Sequence, residues 1–262
     1  MRSLAIMAYL FLALASYALA AGTVPAGQEP KSVEARKGSF NAAGKGFYLD
    51  PRLDSLSQTS IASLAGRLSL VSGKISTVVT GISASATPPD KGLVFLLDQS
   101  QPSEAFEVDV TPSRRLVKAS DARGFIYALQ AVKHMMPPEV SEKTAKALPR
   151  ILVPCALVKD WQDEAERPHE IDCVSQWIEP SALRDSLAHM VTARKNVLIW
   201  RLRDEEKWAE ALASDPELAE KWAYAAFSGN ASRRGDFYTD EQIGEILRAA
   251  KSYGIEVYQL IY

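Results

Sequence analysis

Apolar residues recur at two spacings along the chain, and the change of spacing divides it. Between Asp54 and Leu70 they stand at Leu56, Ile61, Leu64, Ala65 and Leu68, which is helical spacing. Strands are predicted at Lys74–Thr80, Gly92–Leu97, Glu104–Val110 and Leu116–Ala119, from β-branched content, continuous apolar runs or alternation. Pro88-Pro89-Asp90 and Pro112-Ser113-Arg114-Arg115 read as turns between them. Asp121 caps a second predicted helix through Phe125, Leu129, Val132 and Met136, which Pro137-Pro138 stops. Residues 47–150 therefore read as an α+β domain, a sheet with packed helices. The apolar run Ile151–Val158 is expected to cross into a second domain, 151–262.

From Ile171 the order becomes β-α-β-α-β. Ile171–Val174 is the first strand. The helix after Pro180-Ser181 carries Leu183, Leu187, Met190 and Val191 on one stripe, as a helix covering a sheet does. Val197–Leu202 is the second strand. Asp204–Arg234 reads as a long insertion with a short helix around Glu217–Phe227. Thr239 and Gln242 form a capping box, Ile243, Ile246, Leu247 and Ala250 form the next buried stripe, and Gly254 ends that helix. Ile255–Ile261 is the third strand. The pattern predicts the first three β/α units of an incomplete TIM-type (β/α)8 barrel in an α/β protein. A closed barrel takes about eight strands and roughly 250 residues, so the chain reads as a fragment of a longer product. Ligands bind at the carboxyl ends of such strands, which makes Arg203-Asp204-Glu205-Glu206-Lys207-Trp208 a candidate site.

Composition narrows the function classes. The 262 residues carry a net charge of −2, without the basic footprint of a nucleic-acid or anionic-membrane binder. Met1-Arg2-Ser3, the uncharged run Leu4–Leu19 and the small-x-small site Ala18-Leu19-Ala20 read as a signal peptide cleaved near Ala20. The mature protein is thus expected outside the cytoplasm, secreted or periplasmic. Residues 21–46 read as a linker into a first edge strand, and no other segment is apolar enough to span a membrane. Cys155 and Cys173 read as a buried free pair, with a single disulfide as the alternative in an exported protein. His134, His169 and His189 are too scattered for a metal site, and no phosphate loop or nucleophile elbow occurs, so neither metal nor cofactor is expected.

Three ordered stretches resemble glycoside hydrolase family 20, the β-N-acetylhexosaminidases. Asp121-Ala122-Arg123-Gly124 through Gln130 is similar to the accessory domain's A-x-G-x-x-Y-G-L-Q helix. Asn196 through Trp208 is similar to N-x-L-H-W-H-L-T-D-D-Q-G-W. Phe237-Tyr238-Thr239 through Val257 is similar to Y-T-x-x-x-I-x-E-I-x-x-Y-A-x-x-x-G-I-x-V. Together they cover roughly residues 45 to 262. The chain departs from the pattern at several places. Arg167-Pro168-His169 meets the family's sugar-gripping Arg-Gly pair with a one-residue shift, and its D-x-x-R is replaced by Cys173-Val174-Ser175-Gln176. Ile199 and Arg201 replace two histidines. The family's strand-three acids have no match in Gln259-Leu260-Ile261-Tyr262.

The resemblance implies hydrolysis of terminal N-acetylhexosamine from a glycan. A glutamic acid protonates the leaving group, and the substrate's acetamide oxygen attacks, oriented by an aspartate. That Asp-Glu pair belongs to barrel strand four, so the chain alone is expected to be inactive. Asp204 matches the aspartate that supports the acid, with a loop-capping role as the alternative. Arg167, Trp200 and Trp208 complete the candidate substrate-side set, although a tryptophan at position 200 also suits a core. Trp161 offers another indole in a polar stretch. The competing reading is a non-catalytic carbohydrate-binding or structural module on the same fold. Both readings take a carbohydrate partner and no nucleic acid.

Overall fold

The computed structural model describes residues 30–81, 91–141, 147–174, 176–202 and 238–261. They fall into two compact units, 1–165 and 166–262. The first holds a seven-stranded mixed sheet of β1 (Ser32–Asn41), β2 (Phe47–Leu49), β3 (Val78–Thr80), β4 (Gly92–Leu97), β5 (Phe106–Val110), β6 (Arg114–Ala119) and β7 (Leu152–Asp160), in the order β1-β7-β5-β6-β4-β2-β3. Two helices, α1 (Ser55–Ser72) and α2 (Ala122–His134), supply its cover. Alternation decides which side chains face them. Phe106, Val108 and Val110 of β5 and Val117 and Ala119 of β6 are buried, as are Ile61, Leu64 and Leu68 of α1 and Phe125, Ala128 and Val132 of α2.

Capping fixes where the helices begin. Asp54 accepts from the Ser57 amide at 2.7 Å. Asp121 accepts from the Gly124 amide at 2.9 Å with one oxygen and from the Glu104 amide at 2.7 Å with the other. One carboxylate thus caps α2 and ties it to the loop before β5. The contact explains the glycine of the α2 motif. A Cβ on Gly124 would lie 2.7 Å from the Ala105 carbonyl oxygen, closer than any real methyl sits.

Two expectations need correction here. The run from Ile151 does not cross into the second domain. It forms β7, which lies inside the first sheet between β1 and β5, antiparallel to both, so the first unit runs on to 165 rather than 150. An apolar run reads alike whichever sheet it joins, because its partners lie far away in sequence. Arg115 does not belong to a turn but to β6, buried between Leu93 of β4 and Val110 of β5 in register.

The second unit is a parallel three-stranded sheet, β10-β9-β8, made of β8 (Pro168–Asp172), β9 (Val197–Leu202) and β10 (Glu256–Ile261). Crossover helices α3 (Pro180–Thr192) and α4 (Asp240–Ser252) join them in sequence. Leu183, Leu187, Met190 and Val191 of α3 are buried, as are Ile246 and Ala250 of α4, while Ile243 and Leu247 stay half-buried. The Thr239–Gln242 capping box is formed in both directions. Arg184 of α3 and Glu245 of α4 pair at 2.8 Å. Asn196 staples the amino-terminal ends of all three strands. Its side chain accepts from the Arg167 amide at 2.8 Å, and its carbonyl accepts from the Glu256 amide at 2.9 Å. No helix of the described residues is long and apolar enough to cross a membrane.

Candidate functional site

Parallel pairing puts the carboxyl ends of β8, β9 and β10 side by side, and two clusters stand there. The first lies on one face. Arg201 of β9 pairs with Asp172 of β8 in register, and its guanidinium reaches Glu170 at 3.3 Å and Asp172 at 3.8 Å. Arg201 occupies a position where the resembling family carries histidine, so a neutral donor and acceptor is replaced by a fixed cation between two carboxylates. Asp172 also ends its strand, accepting from the Val174 amide at 2.8 Å.

The second cluster lies past the end of β8. Trp200 is fully buried and donates from Nε1 toward Cys173 Sγ at 3.4 Å. Tyr238 Oη lies 3.3 Å from the same sulfur and donates to the Ile178 carbonyl. The Tyr238 ring packs edge-on to Trp200, with centroids 5.5 Å apart, and stacks on Trp177 at 4.3 Å. Trp177 Nε1 donates to Glu179 Oε1 at 3.1 Å. Burial, followed by the Cys173 hydrogen bond, pushes the Tyr238 phenol well above its usual range, so it stays a neutral hydrogen-bonding group. Both cysteines are buried and neither is in a disulfide.

The anticipated residues fare differently. Trp200 is a core side chain with no exposed surface to offer a sugar. Arg167 sits at the amino-terminal end of β8, about 16 Å along the strand from its exit. It is buried, and Nε donates to the Arg194 carbonyl at 2.6 Å. Asp204, Trp208 and the short helix expected around Glu217–Phe227 lie outside the described residues. Trp161 belongs to the first unit, where Lys31 Nζ stands 4.9 Å over its ring. Trp177 was missed because its value lies in its partner. Tyr238 stands at the start of the family-like stretch Phe237–Val257, but nothing local signals that the two rings meet. Among the described residues no three His, Cys, Asp or Glu side chains gather as metal ligands.

Comparison with known proteins fits this geometry. The family model for glycosyl hydrolase family 20, domain 2, matches residues 28–161, and the one for the family's catalytic domain matches residues 167–261. A β-hexosaminidase of Vibrio furnissii is 25% identical over 158 residues, 57% of this chain and 24% of its own length. Two solved structures share the fold. The Streptomyces plicatus N-acetyl-β-hexosaminidase in complex with Thio-NAglucal has a TM-score of 0.64 at 19% identity, over 88% of this chain and 44% of its own. The Vibrio harveyi exo β-N-acetylglucosaminidase in complex with N-acetylglucosamine has a TM-score of 0.62 at 15% identity, over 88% and 35%. The chain therefore spans a quarter to under half the length of these relatives.

Proposed function

The chain belongs to glycoside hydrolase family 20, and on that premise we propose that it supplies the accessory domain and the opening β/α units of an exported β-N-acetylhexosaminidase. The observation that carries this reading is the catalytic-domain match, which spans the whole parallel unit from β8 to β10. In the proposed reaction a glutamic acid protonates the glycosidic oxygen while the substrate's acetamide oxygen attacks the anomeric carbon, and water then opens the resulting ring intermediate with retention. The acid must hold its proton near neutrality, which calls for a supported and partly desolvated carboxyl. Asp204, two residues past the end of β9, is proposed as that support: a positioning residue, not the acid. Trp208, four residues further on, is proposed as a sugar-stacking indole. The family resemblance puts the acid and its aspartate partner on barrel strand four, and the described parallel unit holds three strands, so the 262 residues are proposed to be inactive alone.

A second reading rests on a specific observation. Arg201 is committed to Glu170 and Asp172 at a family histidine position, which suits a relative that keeps the fold and binds glycan without cleaving it. The coding frame separates the two. Expressed from its native frame, the protein is expected to be recovered outside the cytoplasm with its mature end near Ala21. The frame is expected to encode an adjacent Asp-Glu pair at the end of a fourth barrel strand. A frame without that pair would transfer the case to the binding module.

A further inference from the structure

Trp177 is held by a ring on its face and a hydrogen bond at its edge. One face is covered by the Tyr238 ring, 4.3 Å away and 24° from parallel. Its Nε1–H is fixed on Glu179 Oε1 at 3.1 Å. Tyr238 is anchored in turn by the Ile178 carbonyl, by Cys173 and by the buried edge of Trp200. Stacking, ring edge and backbone thus all set the plane of Trp177, yet the residue keeps part of its surface in water. It lies five residues past the last residue of β8, on the segment that leads into α3. That is the end of a parallel sheet at which ligands bind.

We propose that the half-buried indole of Trp177, through the part of its surface left in water, together with the exposed carboxylate of Glu179 beside it, is a stacking platform for one pyranose ring of a β-linked N-acetylglucosamine oligomer. The chemistry matches on both counts. The axial C–H face of a β-linked pyranose is apolar and flat, so it covers an indole well. Glu179 uses Oε1 on Trp177, and its carboxylate has a second oxygen that can accept a ring hydroxyl. A rigid aromatic loses little conformational freedom when it binds, which is why pre-organised aromatics make efficient contacts. This proposal rests on the glycoside hydrolase reading for the identity of the sugar, and on the Trp177–Tyr238 geometry for the position.

The test is titration of the purified chain with tetra-N-acetylchitotetraose, followed by the indole N–H resonances. Trp177→Phe identifies the Trp177 signal by its loss. The native chain should bind, with the Trp177 resonance among those that move. Trp177→Ala should weaken binding by at least about tenfold, the loss expected of an aromatic anchor. Trp177→Phe, which keeps a flat ring on Tyr238, should stay within about threefold. Glu179→Gln should weaken binding while leaving the far-ultraviolet spectrum unchanged. If Trp177→Ala fails to fold, the Trp177 resonance and the other two variants still decide the matter. Binding that leaves the Trp177 signal in place and ignores these variants would overturn the platform and leave the family reading standing. A native chain that binds no chitotetraose at all would overturn the platform, while the hexosaminidase reading is tested separately by the coding frame.

Discussion

Asp50→Ala is expected to destabilise the first unit by about 3 kcal/mol, read as a fall in the denaturant midpoint. Asp50 follows β2 and is fully buried. Its Oδ1 accepts from Arg52 Nε and from the Arg52 amide, each at 3.0 Å. Its Oδ2 accepts from Arg52 Nη2 at 2.7 Å and from the Leu97 amide at 3.2 Å. Arg52 Nη2 also donates to the Leu97 carbonyl at 2.8 Å. The pair thus locks the ends of β2 and β4 together. Truncation leaves the Leu97 amide without its acceptor, a cost that neighbouring packing does not return. Arg52 is half-exposed, so water can solvate its freed charge, which keeps the loss below that of a fully buried broken pair.

The same carboxylate sets a pH dependence. The Arg52 hydrogen bond, opposed by burial and assisted by the Arg52 and Leu97 amides, holds the Asp50 carboxyl below the usual range. Its folded pKa is then lower than its unfolded one, near 3.9. The stabilisation it brings is fully present above that value and is lost as pH falls through the folded pKa. The gap between native chain and Asp50→Ala should accordingly be constant near neutrality and narrow under acid conditions. A gap that stays constant into acid would remove the carboxylate from the account.

Arg115→Met is expected to act in the opposite direction, raising stability by about 1–4 kcal/mol. Arg115 is fully buried in β6, and none of its three side-chain nitrogens finds a hydrogen-bond partner. Its guanidinium stands 5.7 Å from the centroid of the Phe40 ring, a favourable contact that offsets only part of the desolvation. Burial pulls its pKa down to about 9 from a usual value above 12. For a base with a lowered folded pKa, the unfolded chain holds more protons above pH 9. The penalty is therefore felt in full below that pH and is relieved as pH rises through it. Methionine keeps the apolar stem and removes the charge, so it should both raise the urea midpoint at pH 7 and abolish this alkaline relief. A lowered midpoint would mean that the guanidinium is satisfied in solution.

These two residues also show where sequence reading stops. Caps and stripes are local, and they were legible: Asp121, the Thr239–Gln242 box, the α3 stripe from Leu183 to Val191, and the bounds of β9 all follow from spacing. The parallel β-α-β-α-β order and the family resemblance were legible for the same reason. Pairing across sequence distance was not. β7 joins β1 across 127 residues at Ser32 and Lys159, and it joins β5 as well, and no local pattern names those partners. Asp50 looks like any turn aspartate until Leu97 is placed beside it. Arg115 looks like half of a basic turn until β4 and β5 close on either side. The Trp177–Tyr238 pair joins positions 61 residues apart, through the ends of different elements. Arg201 shows a mixed case. Its departure from the family histidine was visible in sequence, whereas its two carboxylate partners emerged only from the parallel register of β8 and β9.

We propose that the parallel unit of this chain is part of the glycan-facing end of a hexosaminidase barrel and that catalysis needs a further strand of that barrel. The measurement that tests it most directly is release of the chromophore from a chromogenic N-acetylglucosaminide by the purified 262-residue protein. The account predicts no turnover above the buffer blank. Turnover that co-purifies with the folded chain would contradict it and place a catalytic acid within these residues.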